Sequence, residues 1–190
     1  MSARERILDA AATVLRSQGI AAATTREIAR AAGCSEALLY KNFADKQDLF
    51  LAVLAERIPR LASTGDLAGG RTVAENLTTL VEQLLGFYVR TFPVAASIFG
   101  TPELLAAHRA AMDRRGAGPE APARHLQAYL DSEITNGRLP EDLDARSTAR
   151  VLAGAALLEA FLAAYAGADD VPDATARARD IVAVVTPLLD

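Results

Sequence analysis

Residues 24–41 carry two helix-start signals separated by a tight turn, and no other stretch restricts the fold so closely. Thr24 and Glu27 stand at the spacing of a capping box, in which each side chain reaches the other residue's backbone N–H. The helix opened there is short, because Ala32-Gly33 closes it. Ser35 is a good N-cap for another short helix running through Tyr40. Two such helices joined by Ala32-Gly33-Cys34-Ser35 make a helix-turn-helix arrangement, the glycine allowing the turn and the serine starting the second helix. Ile28, Ala29, Leu39 and Phe43 are spaced to form the small core that fixes the crossing. By spacing alone the pair would also suit a purely structural helix corner.

The flanks extend the helical pattern. Residues 4–18 place Ile7, Ala11, Val14 and Leu15 on one face, with Gly19 in a helix-stopping position. Asp45 caps a fourth helix with Leu49, Phe50, Val53, Leu54, Ile58 and Leu61 as its apolar stripe. Apolar residues make up 51% of the chain and aromatics only 5%, with no Trp, which suits helices built of Ala and Leu. Residues 72–92 are apolar around much of the circumference and predict a central helix, interrupted at Pro93. Thr101 and Pro102 read as N-cap and first helical residue of the next. Arg114 to Pro122 is a loop by composition, and helices follow over 122–136, 144–166 and 173–189.

Several function classes fall away. A single cysteine, Cys34, leaves no disulfide framework and no Cys-rich zinc site, and reads as a small apolar residue in a turn. Two histidines and one cysteine, far apart in sequence, give no metal-ligand spacing, so no metal is expected. Gly-rich phosphate loops, His-Glu-x-x-His and Gly-x-Ser-x-Gly are all missing, so neither a catalytic residue nor a cofactor is expected. No apolar run reaches the roughly 18 residues of a membrane span, and the first residues lack a signal-peptide core, so a cytoplasmic protein without membrane contact is expected. Net charge is −4, but residues 1–50 hold seven Lys and Arg against six Asp and Glu, so the acidic excess lies beyond them.

The stretch Thr25-Arg26-Glu27-Ile28-Ala29, Ala32-Gly33-Cys34-Ser35, Leu39-Tyr40-Lys41-Asn42-Phe43, then Lys46 and Leu49, resembles the N-terminal DNA-binding domain of the TetR family. Cys34 stands where Val is usual and Asn42 where His or Tyr is common. The resemblance implies an all-α fold: a three-helix helix-turn-helix DNA-binding domain over residues 1–46, and a helical ligand-binding and dimerisation domain over 47–190. It implies that Tyr40 and Lys46 hold phosphates while Thr25 and Arg26 approach the backbone or an adjacent base. Taken singly, Lys46 also reads as a solvated lysine and Tyr40 as core. The second helix, opened by Ser35, would present Glu36, Ala37, Leu38, Tyr40 and Lys41 to the major groove.

Beyond residue 50 the expectations are of partners. Phe87, Tyr88, Phe92, Leu104, His108, Met112, Tyr129 and Phe161 are candidates to line a ligand cavity, with His108 as polar anchor; equally, aromatics at helical spacing read as plain core. Ala153-Gly154-Ala155-Ala156 and the stripe Ile181, Val182, Val184, Val185, Leu188 and Leu189 read as close-packing helices, and the resemblance implies a four-helix interface in a homodimer. The expected function is a transcriptional repressor, released from a palindromic double-stranded DNA operator by a small apolar effector. The alternative is a helical small-molecule-binding or carrier protein that makes no DNA contact.

Overall fold

The computed structural model describes residues 1–57, 71–114 and 118–189, and of residues 16, 20, 21, 54 and 55 only the backbone. The described residues form helices and no strand. In order these are α1 (Ala3–Ala22), α2 (Thr25–Ala31), α3 (Glu36–Asn42), α4 (Lys46–Glu56), α5 (Val73–Phe99), α6 (Pro102–Asp113), α7 (Ala121–Thr135), α8 (Ala145–Tyr165) and α9 (Ala174–Val185). A 3₁₀ turn, Thr186–Leu188, follows α9. Ile58, Leu61 and part of the loop after Arg114 lie outside the described residues, as does the side chain of Leu54.

The chain packs as two units, Met1–Pro59 with Pro93–Gly116, and Arg60–Phe92 with Ala117–Asp190. This is a division by packing. The functional division expected after residue 46 is a different cut, falling behind the first residue of α4 within the first unit.

In the first unit Ile7, Leu8 and Leu15 of α1 are buried with Ile28, Leu39, Phe43, Leu49 and Phe50. The surface ties of α1 are local and long-range at once. Ser2 and Glu5 close a capping box at its start, Arg4 grips both carboxylate oxygens of Glu56 at 2.7 and 2.8 Å, and Arg57 meets Asp9 at 2.6 Å. Gly19 does not end α1 as the sequence suggested. It kinks the helix, adopting φ 73° and ψ 169°, and one more turn runs on to Ala22. Only glycine takes that backbone region freely.

In the second unit Leu77, Leu80, Val81, Leu84 and Leu85 of α5 are buried with Leu126, Tyr129 and Leu130 of α7 and Leu152, Ala156 and Ala160 of α8. Thr72 and Glu75 form the capping box that opens α5. The expected break at Pro93 is overturned, since α5 continues to Phe99 with Pro93 inside it. A mid-helix proline forfeits one backbone hydrogen bond and crowds the preceding turn, at about 3 kcal/mol. Here Pro93 is exposed while Val89, Val94 and Ile98 are buried on either side, and that burial offsets the loss.

α8 also departs from expectation. Despite three charged residues it is, by length and composition alone, apolar enough to cross a membrane. Its buried face, Thr148, Ala149, Leu152, Ala156 and Ala160, belongs to the second unit's core. Its other face leaves Val151, Leu158, Leu162 and Tyr165 half or more exposed, and Val184 and Leu188 are exposed after it.

Candidate nucleic-acid interface

The interface is built by caps. Thr24 accepts from Glu27 N–H at 3.2 Å while the Glu27 carboxylate accepts from the N–H and hydroxyl of Thr24, at 3.1 and 2.8 Å. These bonds hold the Glu27 carboxyl below its usual range, the Thr24 hydroxyl bond foremost. α2 ends where Cys34 N–H reaches Ala29 carbonyl at 2.9 Å and Gly33 takes φ 64°, a left-handed conformation that favours glycine. Ser35 then accepts from Leu38 N–H at 3.2 Å, and α3 departs across α2. Ile28, Ala29, Leu39 and Phe43 are buried beneath the crossing, as their spacing predicted.

Above this core the polar side chains sort themselves. The Thr25 hydroxyl lies 3.3 Å from the Tyr40 phenol oxygen, joining the first residue of α2 to the last turn of α3. Tyr40 is 49% exposed, so it is no core residue. Arg26, Ser35, Ala37 and Lys41 are exposed, and Thr25, Glu36 and Leu38 are half-buried. Asn42 is turned inward along its own helix, its amide donating to Leu38 carbonyl at 2.8 Å.

Lys46 starts α4 with its Nζ 5.2 Å from the centroid of the buried Phe50 ring, a cation–π contact missed above although its i, i+4 spacing was the available signal. The α4 N-terminus is less open to an anion than its position suggests. Asp45 accepts from Asp48 N–H at 2.7 Å, and Asp48 accepts from Ala44 N–H at 3.0 Å. Anion binding there would rest on the Lys46 ammonium more than on the helix end. Arg4 was likewise missed. Its guanidinium lies 5.3 Å from the Phe43 ring centroid, and the Ser-x-x-Glu opening of α1 was the available signal for its placement.

The residues expected to line a ligand cavity are shared between the two units. Leu104 is buried in the first unit, where His108 and Met112 follow it half-buried along α6. Burial keeps His108 below the usual imidazole range. In the second unit Phe87 and Tyr88 meet edge to face at 5.4 Å, and Phe92 and Phe161 lie 5.3 Å apart. Tyr129 is core, 1% exposed, its phenol pushed up to about 12 chiefly by burial, with Asn76 and Glu133 beside it. Two surface clefts of this unit measure about 580 and 500 Å³; of the eight candidates only Tyr88 lines either.

Two short capped helices crossing over a small core, with a hydroxyl pair and basic side chains on the outer face, define a helix-turn-helix DNA-binding module. Known proteins share this module and this fold. Residues 7–53 match the family of bacterial regulatory proteins described as tetR. The HTH-type transcriptional regulator SrpR of Pseudomonas putida is 28% identical over 153 residues, covering 80% of this chain and 70% of that one. A TetR transcription regulator from Haloarcula marismortui superposes with a TM-score of 0.73 at 23% identity, covering 98% and 97% of the two chains. The transcriptional regulator FadR from Bacillus subtilis, in complex with stearoyl-CoA, superposes at 0.67 with 18% identity, covering 98% and 99%. At those identities the structures speak for the fold. Residues 7–53 are thus a DNA-binding module of the tetR type, and the fold of the whole chain is that of the TetR regulators it superposes on.

Proposed function

We propose that the protein is a homodimeric repressor that occupies a palindromic operator in the cytoplasm and is released by a small apolar effector. The observation that carries the DNA half is the Thr25–Tyr40 hydroxyl pair, which holds an exposed phenol at the seam of the two helices. A phenol there reaches a phosphate while α3 lies in the groove. In this reading residues 1–46 make the DNA contacts. Tyr40 and Lys46 take phosphates, Thr25 and Arg26 flank them, and Ser35, Glu36, Ala37, Leu38 and Lys41 face the bases.

Residues 47–190 then carry dimerisation and effector response. The dimer is supported by the apolar face of α8 and α9, where Val151, Leu158, Leu162, Tyr165 and Val184 are each at least 50% exposed. A contiguous apolar face of this kind is costly in water, and a two-fold axis covers it with its own copy. Two such subunits present two recognition helices, hence a palindromic site. The effector half is supported by the stearoyl-CoA carried by the structurally similar FadR. It follows the logic that a ligand preferring one conformer shifts the population towards it.

Genomic footprinting with the purified full chain tests the reading, with and without apolar candidate effectors. Protection of inverted repeats, lost on adding effector, is the expected result. Effector binding without any protected DNA would replace the repressor by the ligand carrier.

A further inference from the structure

The 500 Å³ cleft of the second unit lies between α5, α7 and α8, a volume within the range of small-molecule sites, ~300–1,000 Å³. Its chemistry is two-sided. Tyr88, Ala123, Ala153 and Leu157 supply apolar wall, and Arg124, Arg146 and Arg150 supply three cations against the single carboxylate of Glu120. In a chain of net charge −4 this is a local reversal of sign. Glu120 does little to neutralise it, meeting Arg150 only at 3.9 Å with both side chains about 60% exposed. Arg146 is exposed, one turn before Arg150 on α8; the exposed Asp144 carboxylate is its electrostatic neighbour, and its guanidinium closes no salt bridge or hydrogen bond among the described residues. Burial pushes the Tyr88 phenol up to about 12, so it stays a protonated donor at neutral pH.

The 580 Å³ cleft differs. Its hydroxyls are already engaged: Thr175 donates to Glu82, Thr78 to Ala74 carbonyl, Thr79 to Glu75 carbonyl and Thr186 to Val182 carbonyl.

We propose that the cleft between α5, α7 and α8 binds an amphiphilic oxyanion, with Arg146 and Arg150 taking the carboxylate or phosphate head and the wall from Tyr88 to Leu157 taking an apolar tail. Guanidinium groups match either head in bidentate geometry, and the weak, exposed Glu120 pair yields to such a ligand. The proposal names the ligand class of the effector response above and rests on that reading for its consequence at DNA. Gly154 lies in the cleft wall, and a Cβ built there meets nothing within 4 Å, so space for the tail continues past it.

Calorimetric titration of the full chain without DNA tests the site. The probes are decanoate and decyl phosphate, against decanol as tail without charge and inorganic phosphate as charge without tail. At least one amphiphilic anion should bind ten-fold or more tighter than both controls, and the stronger of the two identifies the head. Arg146→Gln combined with Arg150→Gln, both at exposed positions, should erase that ten-fold advantage and leave decanol unchanged. Gly154→Leu should weaken the anion by filling the wall. Decanol binding as tightly as decanoate and decyl phosphate, or full anion affinity in either variant, would overturn the proposal. Because DNA is absent, anion binding that leaves operator affinity unaltered supports the site and counts against effector-controlled release.

Discussion

Glu36 and Leu38 sit half-buried on α3 on either side of the exposed Ala37, with the exposed Lys41 one turn on from Ala37. A carboxylate can only accept, so in the groove Glu36 suits the exocyclic amine of cytosine, while an aliphatic side chain at 38 suits a thymine methyl. α3 has no Arg to grip guanine. Selection from random DNA should therefore give half-sites in which one cytosine and one thymine dominate, each preference fading in Glu36→Ala or Leu38→Ala. Undiminished preference in both variants would show that neither side chain reads a base. Lys46 acts differently, as a positional charge over Phe50. Lys46→Ala should weaken specific and nonspecific DNA alike and flatten the salt slope by about one unit or less. An unchanged slope would return Lys46 to a purely structural cation–π role. Away from DNA, the fully buried Glu133 carboxylate relies on Arg138 at 3.2 Å. Arg138→Ala strands that charge, and chemical denaturation should show a loss of about 3 kcal/mol, the low end of the range because the guanidinium is itself 31% exposed. Replacing both residues by Met should cost less than the single change.

At the scale of elements, what the sequence made legible was local. Thr24 with Glu27, and Ser35 after Gly33, start and stop α2 and α3 through bonds spanning three residues, so their spacing suffices to read them. Pro93 could not be read the same way, because what carries α5 through it is burial of Val89, Val94 and Ile98 by residues remote in sequence. The ligand side was illegible for a related reason. Helical spacing does not distinguish Tyr129, sealed in a core, from Tyr88 at a cleft, and the arginines of that cleft come together from α7 and α8. Val184 is 73% exposed on α9, so Val184→Asp leaves each subunit's core intact. In a dimer it buries an unpaired charge. Sedimentation at micromolar concentration should show dimers for the natural chain and monomers for the variant, with melting of the monomer little changed. A natural chain that sediments as monomer would remove both the dimer and the palindrome.

For the whole molecule, acid is the informative variable. The carboxyls of Glu5, Glu27, Glu75 and Asp144 are held below their usual range, mainly by hydrogen bonds from Ser2, Thr24, Thr72 and Ser147 respectively. A depressed carboxylate stabilises the fold above its unfolded pKa, near 4, and that contribution is lost as pH falls through the folded value. His108 is depressed by burial, so the unfolded chain takes up the proton first and stability declines as pH drops below about 6.5. Both signs agree. Denaturation midpoints measured from neutral pH downward should fall in two stages, and His108→Gln should abolish the upper one. A single decline near pH 4 in the natural chain would place His108 in water.

The hydroxyl pair of Thr25 and Tyr40 bears on the whole association as well. A tyrosine tethered before DNA arrives has already given up its rotational freedom during folding. In the proposed complex it surrenders little more on meeting a phosphate, so the ordering cost falls on the free protein rather than on the encounter. Thr25 would then speed and tighten docking by restricting its neighbour, acting on the entropy of association even where its own oxygen touches no nucleotide.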